Sequence, residues 1–114
     1  LKGVFINART DMFLHADPST HSDAMVEEAL LRADAYAQAG ADGLFVPGLA
    51  DPKKIARICK ESPVPVNIML RPGIAKLSDV AKLGVARISY GPFPYRLAME
   101  ALKRAAAEAM GAMT

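Results

Sequence analysis

Hydrophobic and polar positions fall into four repeated blocks along this chain. In the first, Val4-Phe5-Ile6 runs into Asn7-Ala8-Arg9-Thr10-Asp11, so an apolar stretch ends in a cation, a hydroxyl and a carboxylate. A short continuous apolar run bounded by polar residues predicts a strand over residues 3–8, buried on both faces as in a helix-covered parallel sheet. A long polar loop with Asp17-Pro18 follows. From Asp23 to Ala39 the spacing changes to that of a helix, with Met25, Ala29, Leu30, Ala33, Tyr36 and Ala37 forming one apolar stripe. Gly40 stops this helix, as glycine does just past a helix end.

The remaining blocks repeat the plan. Asp42–Val46 reads as a buried strand broken by Pro47-Gly48. Asp51 and Pro52 fit the cap and first position of a helix running to about Lys60. Pro65–Leu70 predicts a third strand, Arg71-Pro72-Gly73 a turn, and Ser78–Leu83 a short helix ended by Gly84. Val85–Tyr90 predicts a fourth strand, Gly91-Pro92 breaks it, and an alanine-rich helix covers about Tyr95–Met110. The segment from Ala39 to Pro47 echoes that from Leu83 to Gly91, each reading helix end, glycine, strand, breaker.

Four consecutive parallel βα units make an α/β chain, the length of half a (β/α)₈ TIM-type barrel. A doubly wound sheet is the rival arrangement, but no glycine-rich nucleotide fingerprint follows any strand. Half a barrel leaves two open sheet edges, so a complete unit requires further strands. Residues 1–114 therefore read as one half-barrel domain, its further strands coming from missing N-terminal sequence or from another chain.

Composition narrows the partners. The formal net charge is +2, with Lys and Arg interspersed among Asp and Glu. No basic stripe suggests nucleic acid, and no apolar run is long enough for a membrane span. The single cysteine, Cys59, excludes an internal disulfide and a cysteine-based metal cluster. A cytoplasmic protein with a small-molecule substrate is the expectation.

Phe5-Ile6-Asn7-Ala8-Arg9-Thr10-Asp11, the run from Ala39 to Gly48, Pro65-Val66-Asn67-Ile68-Met69 and the run from Gly84 to Gly91 together resemble the C-terminal half of the isocitrate lyase/phosphoenolpyruvate mutase superfamily. The likeness covers nearly the whole chain and keeps the motif order. It implies a (β/α)₈ barrel, a homo-oligomer that exchanges its last helix, and a Mg²⁺-dependent site for small 2-oxo or hydroxy carboxylates. It also implies reaction through an enolate whose developing charge is met by metal and cationic donors. The family's acidic metal ligands and the lyases' cysteine-bearing loop correspond to sequence upstream of Leu1, so no metal ligand and no catalytic residue is assigned in this segment. Cys59, in a helix, does not match the loop cysteine.

What the segment offers is substrate binding. Arg9 ends the first strand, where ligands of parallel α/β proteins sit, and its fork can grip a carboxylate with two hydrogen bonds. It matches the family's substrate-binding arginine; an ion pair with Asp11 is the structural alternative. Asp11 lies two residues on, able to orient Arg9, accept from a metal-bound water or cap the loop. Thr10 is assigned to local backbone. His15 and His21 lie in the following loop, where a histidine can titrate near neutrality or stay solvated. Asn67 is an amide within an apolar strand and must find a partner, either a neighbouring strand's side chain or a substrate oxygen. Arg71 follows that strand as a second cation or a solvated turn.

The leading function is thus a Mg²⁺-dependent lyase that cleaves C–C bonds of small carboxylates, this segment clamping the substrate. A phosphoenolpyruvate phosphomutase or phosphonate-processing enzyme is the alternative within the family. A non-catalytic carboxylate-binding or assembly segment is the alternative of another class.

Overall fold

In the computed structural model, residues 3–71 and 76–111 are described. Four strands, β1 (Asn7–Arg9), β2 (Gly43–Phe45), β3 (Val66–Met69) and β4 (Arg87–Ser89), alternate with helices α1 (Asp23–Gln38), α2 (Pro52–Glu61), α3 (Leu77–Ala81) and α4 (Phe93–Gly111). The strands form one parallel sheet in the order β1-β2-β3-β4, each paired with its sequence neighbour. This is the expected α/β architecture. Pro72 and Gly73 of the expected turn lie outside the described residues.

Strand alternation divides the sheet into two unlike faces. Leu44, Val46, Val66 and Ile68 point one way and are buried, packed with Val26, Ala29 and Ala33 of α1, Ile55 and Ile58 of α2, and Val80 of α3. Each such aliphatic side chain contributes about 1.5–3 kcal/mol when fully removed from water. The other face carries Asn7, Arg9, Gly43, Phe45, Asn67, Met69, Arg87 and Ser89, a largely polar set. The α1 stripe is close to its sequence expectation, with Val26 added to its buried centre.

The first strand needs correction. It was expected at 3–8 and buried on both faces, but its ladder runs Asn7–Arg9, and Val4, Phe5 and Ile6 are 50%, 62% and 48% exposed. The cause is position. β1 is a sheet edge whose outer side no element covers among the described residues, and Phe5 lies on the inner face with Asn7. The register still begins at Ile6, whose N–H donates to the Asp42 carboxylate at 2.8 Å and whose carbonyl accepts from Asp42.

The ends of the elements follow local chemistry. Ser22 caps α1 by accepting from the Met25 N–H, and Asp51 caps α2 by accepting from the Lys53 N–H. Asp17 organises the long loop into a 3₁₀ turn over Pro18–Thr20, a feature not expected from periodicity. The α4 helix starts at Phe93, two residues earlier than expected, and buries none of its side chains. Leu97, Leu102 and Met110 along it are exposed. None of the described helices is long and apolar enough to cross a membrane.

Gly48 joins this scaffold to the loop above it. Its φ is +92°, and a Cβ there would lie 2.6 Å from the Leu14 backbone. Both the torsion and the close approach demand glycine. Gly48→Ala is expected to cost the complete protein about 1–3 kcal/mol and to displace the loop carrying Leu14. Urea denaturation of wild type and variant checks the first, and weakened binding of a small dicarboxylate checks the second.

Candidate functional site

Every strand ends at the same rim. Arg9, Phe45, Met69 and Ser89 are the last residues of β1, β2, β3 and β4, and all four line one cleft of about 510 Å³. Leu14 from the β1–α1 loop and Phe93 and Arg96 from the first turns of α4 complete its wall. An adjoining recess of about 340 Å³ shares Leu14, Met69, Phe93 and Arg96, and adds Arg71. The C-terminal ends of parallel strands are where such folds bind ligands, and here that edge is cationic.

Arg9 is held from two sides. Its Nε donates to Asp11 Oδ1 in a short ion pair, and its guanidinium carbon sits 5.7 Å from the centre of the Phe45 ring. The pair uses Nε and leaves the two Nη groups out of it. Asp11, which could have oriented Arg9 or met a water, does the former. The hydrogen bond from Arg9 holds the Asp11 carboxyl below the usual carboxylate range, and that bond raises the Arg9 pKa in turn. His15 stands behind them, largely exposed, with Nε2 3.7 Å from Asp11 Oδ2. When protonated it adds a second positive charge to the same carboxylate.

Thr10 is buried, and its hydroxyl accepts from Arg32 Nη1 at 2.9 Å, which ties the end of β1 to α1. His21 docks back on the loop, its Nε2 2.9 Å from the Phe13 carbonyl and its ring edge-on to Phe13. Both anchor the backbone on either side of the Asp11–His15 turn.

Asn67 lies deeper, on the floor side of the inner face. Its Oδ1 accepts from Asn7 Nδ2 at 3.1 Å, and its Nδ2 donates to the Arg87 carbonyl at 3.0 Å and reaches Ser89 Oγ at 3.1 Å. Of the two partners open to this amide, neighbouring strands supply the first. Arg71 reaches across to the β2–α2 loop, where Nη1 donates to the Gly48 carbonyl at 2.6 Å. It borders the recess rather than the main cleft.

Arg96 was not among the candidates. Flanked by Tyr95 and Leu97, it reads in sequence as the solvated side of a helix. The available signal was its place in the helix directly after the last strand, because the first turn of such a helix starts at the ligand-binding rim.

Cys59 belongs to α2, is half-buried, and has its thiol pushed up to about 11 by burial. A thiol in that state is neither a ready nucleophile nor a proton donor to a cleft it does not line.

Comparison with known proteins fixes the family. The sequence profile of phosphoenolpyruvate phosphomutases matches residues 1–110. The chain belongs to that family, within the isocitrate lyase/phosphoenolpyruvate mutase superfamily. It is 40% identical over 106 residues to an uncharacterised protein of Mycobacterium tuberculosis, spanning 90% of this chain and 38% of the relative. It is 31% identical over 105 residues to the phosphoenolpyruvate phosphomutase of Streptomyces viridochromogenes, covering 89% of this chain and 31% of that enzyme. Among solved structures, a candidate phosphonomutase of Burkholderia cenocepacia superposes with a TM-score of 0.84 at 50% identity, over 94% of this chain and 42% of its own. A candidate lyase/mutase of the same organism gives 0.81 at 34% identity, over 95% and 38%. The chain therefore spans well under half the length of these relatives, and the structural neighbours among them are TIM-barrel-like.

A divalent metal is not accommodated by the residues at hand. No group of three or more His, Cys, Asp or Glu side chains is placed to hold one among the described residues. Asp11, the carboxylate nearest the cleft, is already engaged by Arg9.

The lowered Asp11 pKa gives the Arg9 pair a definite pH dependence. A depressed carboxylate adds stability that is present above its ordinary pKa and lost as pH falls through the lowered value. In an acid titration of the complete protein, the Arg9 Nε resonance is expected to move in a step below the ordinary carboxylate range. Asp11→Asn should abolish the step; a step at the ordinary carboxylate pKa would contradict the pairing.

Proposed function

We propose that the complete protein is a lyase that cleaves a C–C bond in a small 2-oxo or hydroxy dicarboxylate, and that this segment binds and orients the substrate's acid groups. The observation that carries the reading is the pair of arginines, Arg9 and Arg96, on one cleft at the strand ends. Between them lie apolar surfaces of Leu14, Phe45, Met69 and Phe93. Cations around an apolar strip suit a short carbon chain with an acid group at each end.

Arg9 presents its Nη groups to one carboxylate, with its orientation fixed in advance by Asp11 and Phe45. Arg96 meets the second acid group, and Arg71 extends the positive field over the adjoining recess. When a C–C bond breaks next to a carbonyl, negative charge develops on an enolate oxygen. Fixed cationic donors stabilise that charge more than they stabilise the neutral carbonyl, which is how they lower the barrier. In this reading the proton donor and the Mg²⁺ ligands belong to other parts of the polypeptide, and the oligomer covers the exposed apolar face of α4.

A second reading, phosphonate chemistry at a P–C bond, is favoured by the 50% identity to a candidate phosphonomutase. A phosphonate is also a compact anion that an arginine fork can bind. Incubating the complete protein with Mg²⁺ and a panel of hydroxy dicarboxylates, and following release of 2-oxo acid, tests the lyase. Phosphorus NMR of phosphoenolpyruvate under the same conditions tests the mutase. Binding of dicarboxylates without turnover of either class would leave the carboxylate-binding segment as the surviving reading.

Arg9→Ala is expected to lower kcat/KM at least tenfold, on the order of 1.4 kcal/mol, and Arg9→Lys to recover only part of the loss. The lysine keeps the charge but not the fork. The melting temperature should change little, because the Arg9 side chain is half exposed. An unchanged kcat/KM accompanied by a collapsed melting temperature would assign Arg9 to structure alone.

A further inference from the structure

Arg32, on α1, makes two bonds in different directions. Its Nε donates to Glu28 Oε1 at 3.2 Å, an ordinary pair for residues four apart on one helix. Its Nη1 donates at 2.9 Å to the hydroxyl of Thr10, 22 residues away in the chain. The first bond stays within the helix. The second leaves it and lands between Arg9 and Asp11.

Thr10 is the point where the sheet hands over to the loop. Its N–H still donates to the Phe45 carbonyl at 3.0 Å, one residue beyond the last pair of the β1–β2 ladder. Alternation sends its side chain to the helix side, opposite to Arg9 and Asp11, and it is 2% exposed there. A hydroxyl buried to that extent needs a partner, and Arg32 reaches it from a position that is still 42% exposed. A β-branched side chain has few rotamers, so holding its hydroxyl also holds the peptide units on either side. Arg9 and Asp11 start from those units, and the Arg9 Nε pairs with Asp11 Oδ1 across them. His15, with Nε2 3.7 Å from Asp11 Oδ2, is the other titratable group beside the pair.

We propose that Arg32 is a positioning residue for the Arg9 clamp: its guanidinium holds the Thr10 hydroxyl and, through Thr10, sets the directions in which Arg9 and Asp11 leave the end of β1. The proposal rests on the reading of Arg9 as the group that meets a substrate acid. Arg32 itself does not line the cleft, so it acts on a ligand only through the strand end. The planar fork suits the task, because one nitrogen is fixed on Glu28 while another reaches Thr10. An acid group arriving at Arg9 competes with Asp11 for the guanidinium, and the tether keeps the strand end from following either.

The test uses the complete protein, with malonate as the probe anion. Thr10→Val removes the acceptor and keeps the shape, and Arg32→Met removes the donor at a half-exposed position. Each is expected to weaken malonate binding about fivefold. The double variant should lose no more than the larger single loss, because both substitutions cut one tether. Thr10→Ser keeps the acceptor and should retain most of the affinity. The pH step in the Arg9 Nε resonance should move up by about half a pH unit in both single variants, as the Asp11 pair loosens; the His15 ring resonances separate its own titration. A role in global stability alone moves neither the step nor the affinity of the folded protein. The proposal is overturned by a step that stays in place in folded Thr10→Val, or by losses of affinity that add in the double variant. It is also overturned by malonate affinity unchanged in both single variants while Arg9→Ala loses it. Should Arg32→Met fail to fold, Thr10→Val and Thr10→Ser decide alone. If Arg9→Ala binds malonate as tightly as wild type, the clamp reading itself fails. The resonance step then decides whether Arg32 positions the pair: a moved step supports it, and an unmoved one overturns it.

Discussion

Side chains leave a strand in alternate directions, and the rest of this structure depends on that constraint. Leu44, Val46, Val66 and Ile68 occupy the positions that meet α1, α2 and α3, and the hydrophobic burial on that side holds the register. With the register held, Arg9, Asn67 and Ser89 have no choice of face. A slip of one residue in β3 would put Asn67 among Val26, Ile55 and Ile58 and send Ile68 to the amides. The polar chemistry of the inner face is thus positioned by apolar residues that never touch it.

Within the cleft, the arginines are held in different ways. Arg9 comes from a strand and is braced by a carboxylate and an aromatic ring, so little side-chain freedom remains to be lost when a ligand arrives. Arg96 comes from a helix that buries none of its side chains in this chain, and its placement depends on the first turn following Gly91. There, a Cβ in place of the glycine hydrogen would meet the Met69 sulfur at 2.5 Å. The rim of β3 and the start of α4 are consequently fitted to each other. Arg32, reaching over from α1 to Thr10, does the same for the end of β1.

Much of this could be read from the sequence because the signals were local. Asp51-Pro52 and the glycines after α1 and α3 set element ends through hydrogen bonds and torsions that span only a few residues, and those ends fall within one or two residues of expectation. Arg9 stood out because a cation closing an apolar strand is rare without a reason. The burial of Val4-Phe5-Ile6 was misjudged because apolar composition does not tell whether a strand lies at a sheet edge, as β1 does, or which of its faces is covered, as for Phe5 on the inner face. Arg96 was hidden because periodicity sorts helix residues into packed and solvated and has no category for a side chain that crosses onto the end of a sheet. The anchor from Arg71 to the Gly48 carbonyl was equally out of reach, since it joins two loops 23 residues apart.

The strand order has a consequence for how the chain is made. Because neighbouring strands of the sheet are consecutive in the chain, β2, β3 and β4 each leave the ribosome with a partner already synthesised. Loop closure never spans more than one βα unit, so the entropic cost of each pairing stays small and nearly constant. The sheet can therefore grow in the direction of translation, with one edge always waiting for the next strand.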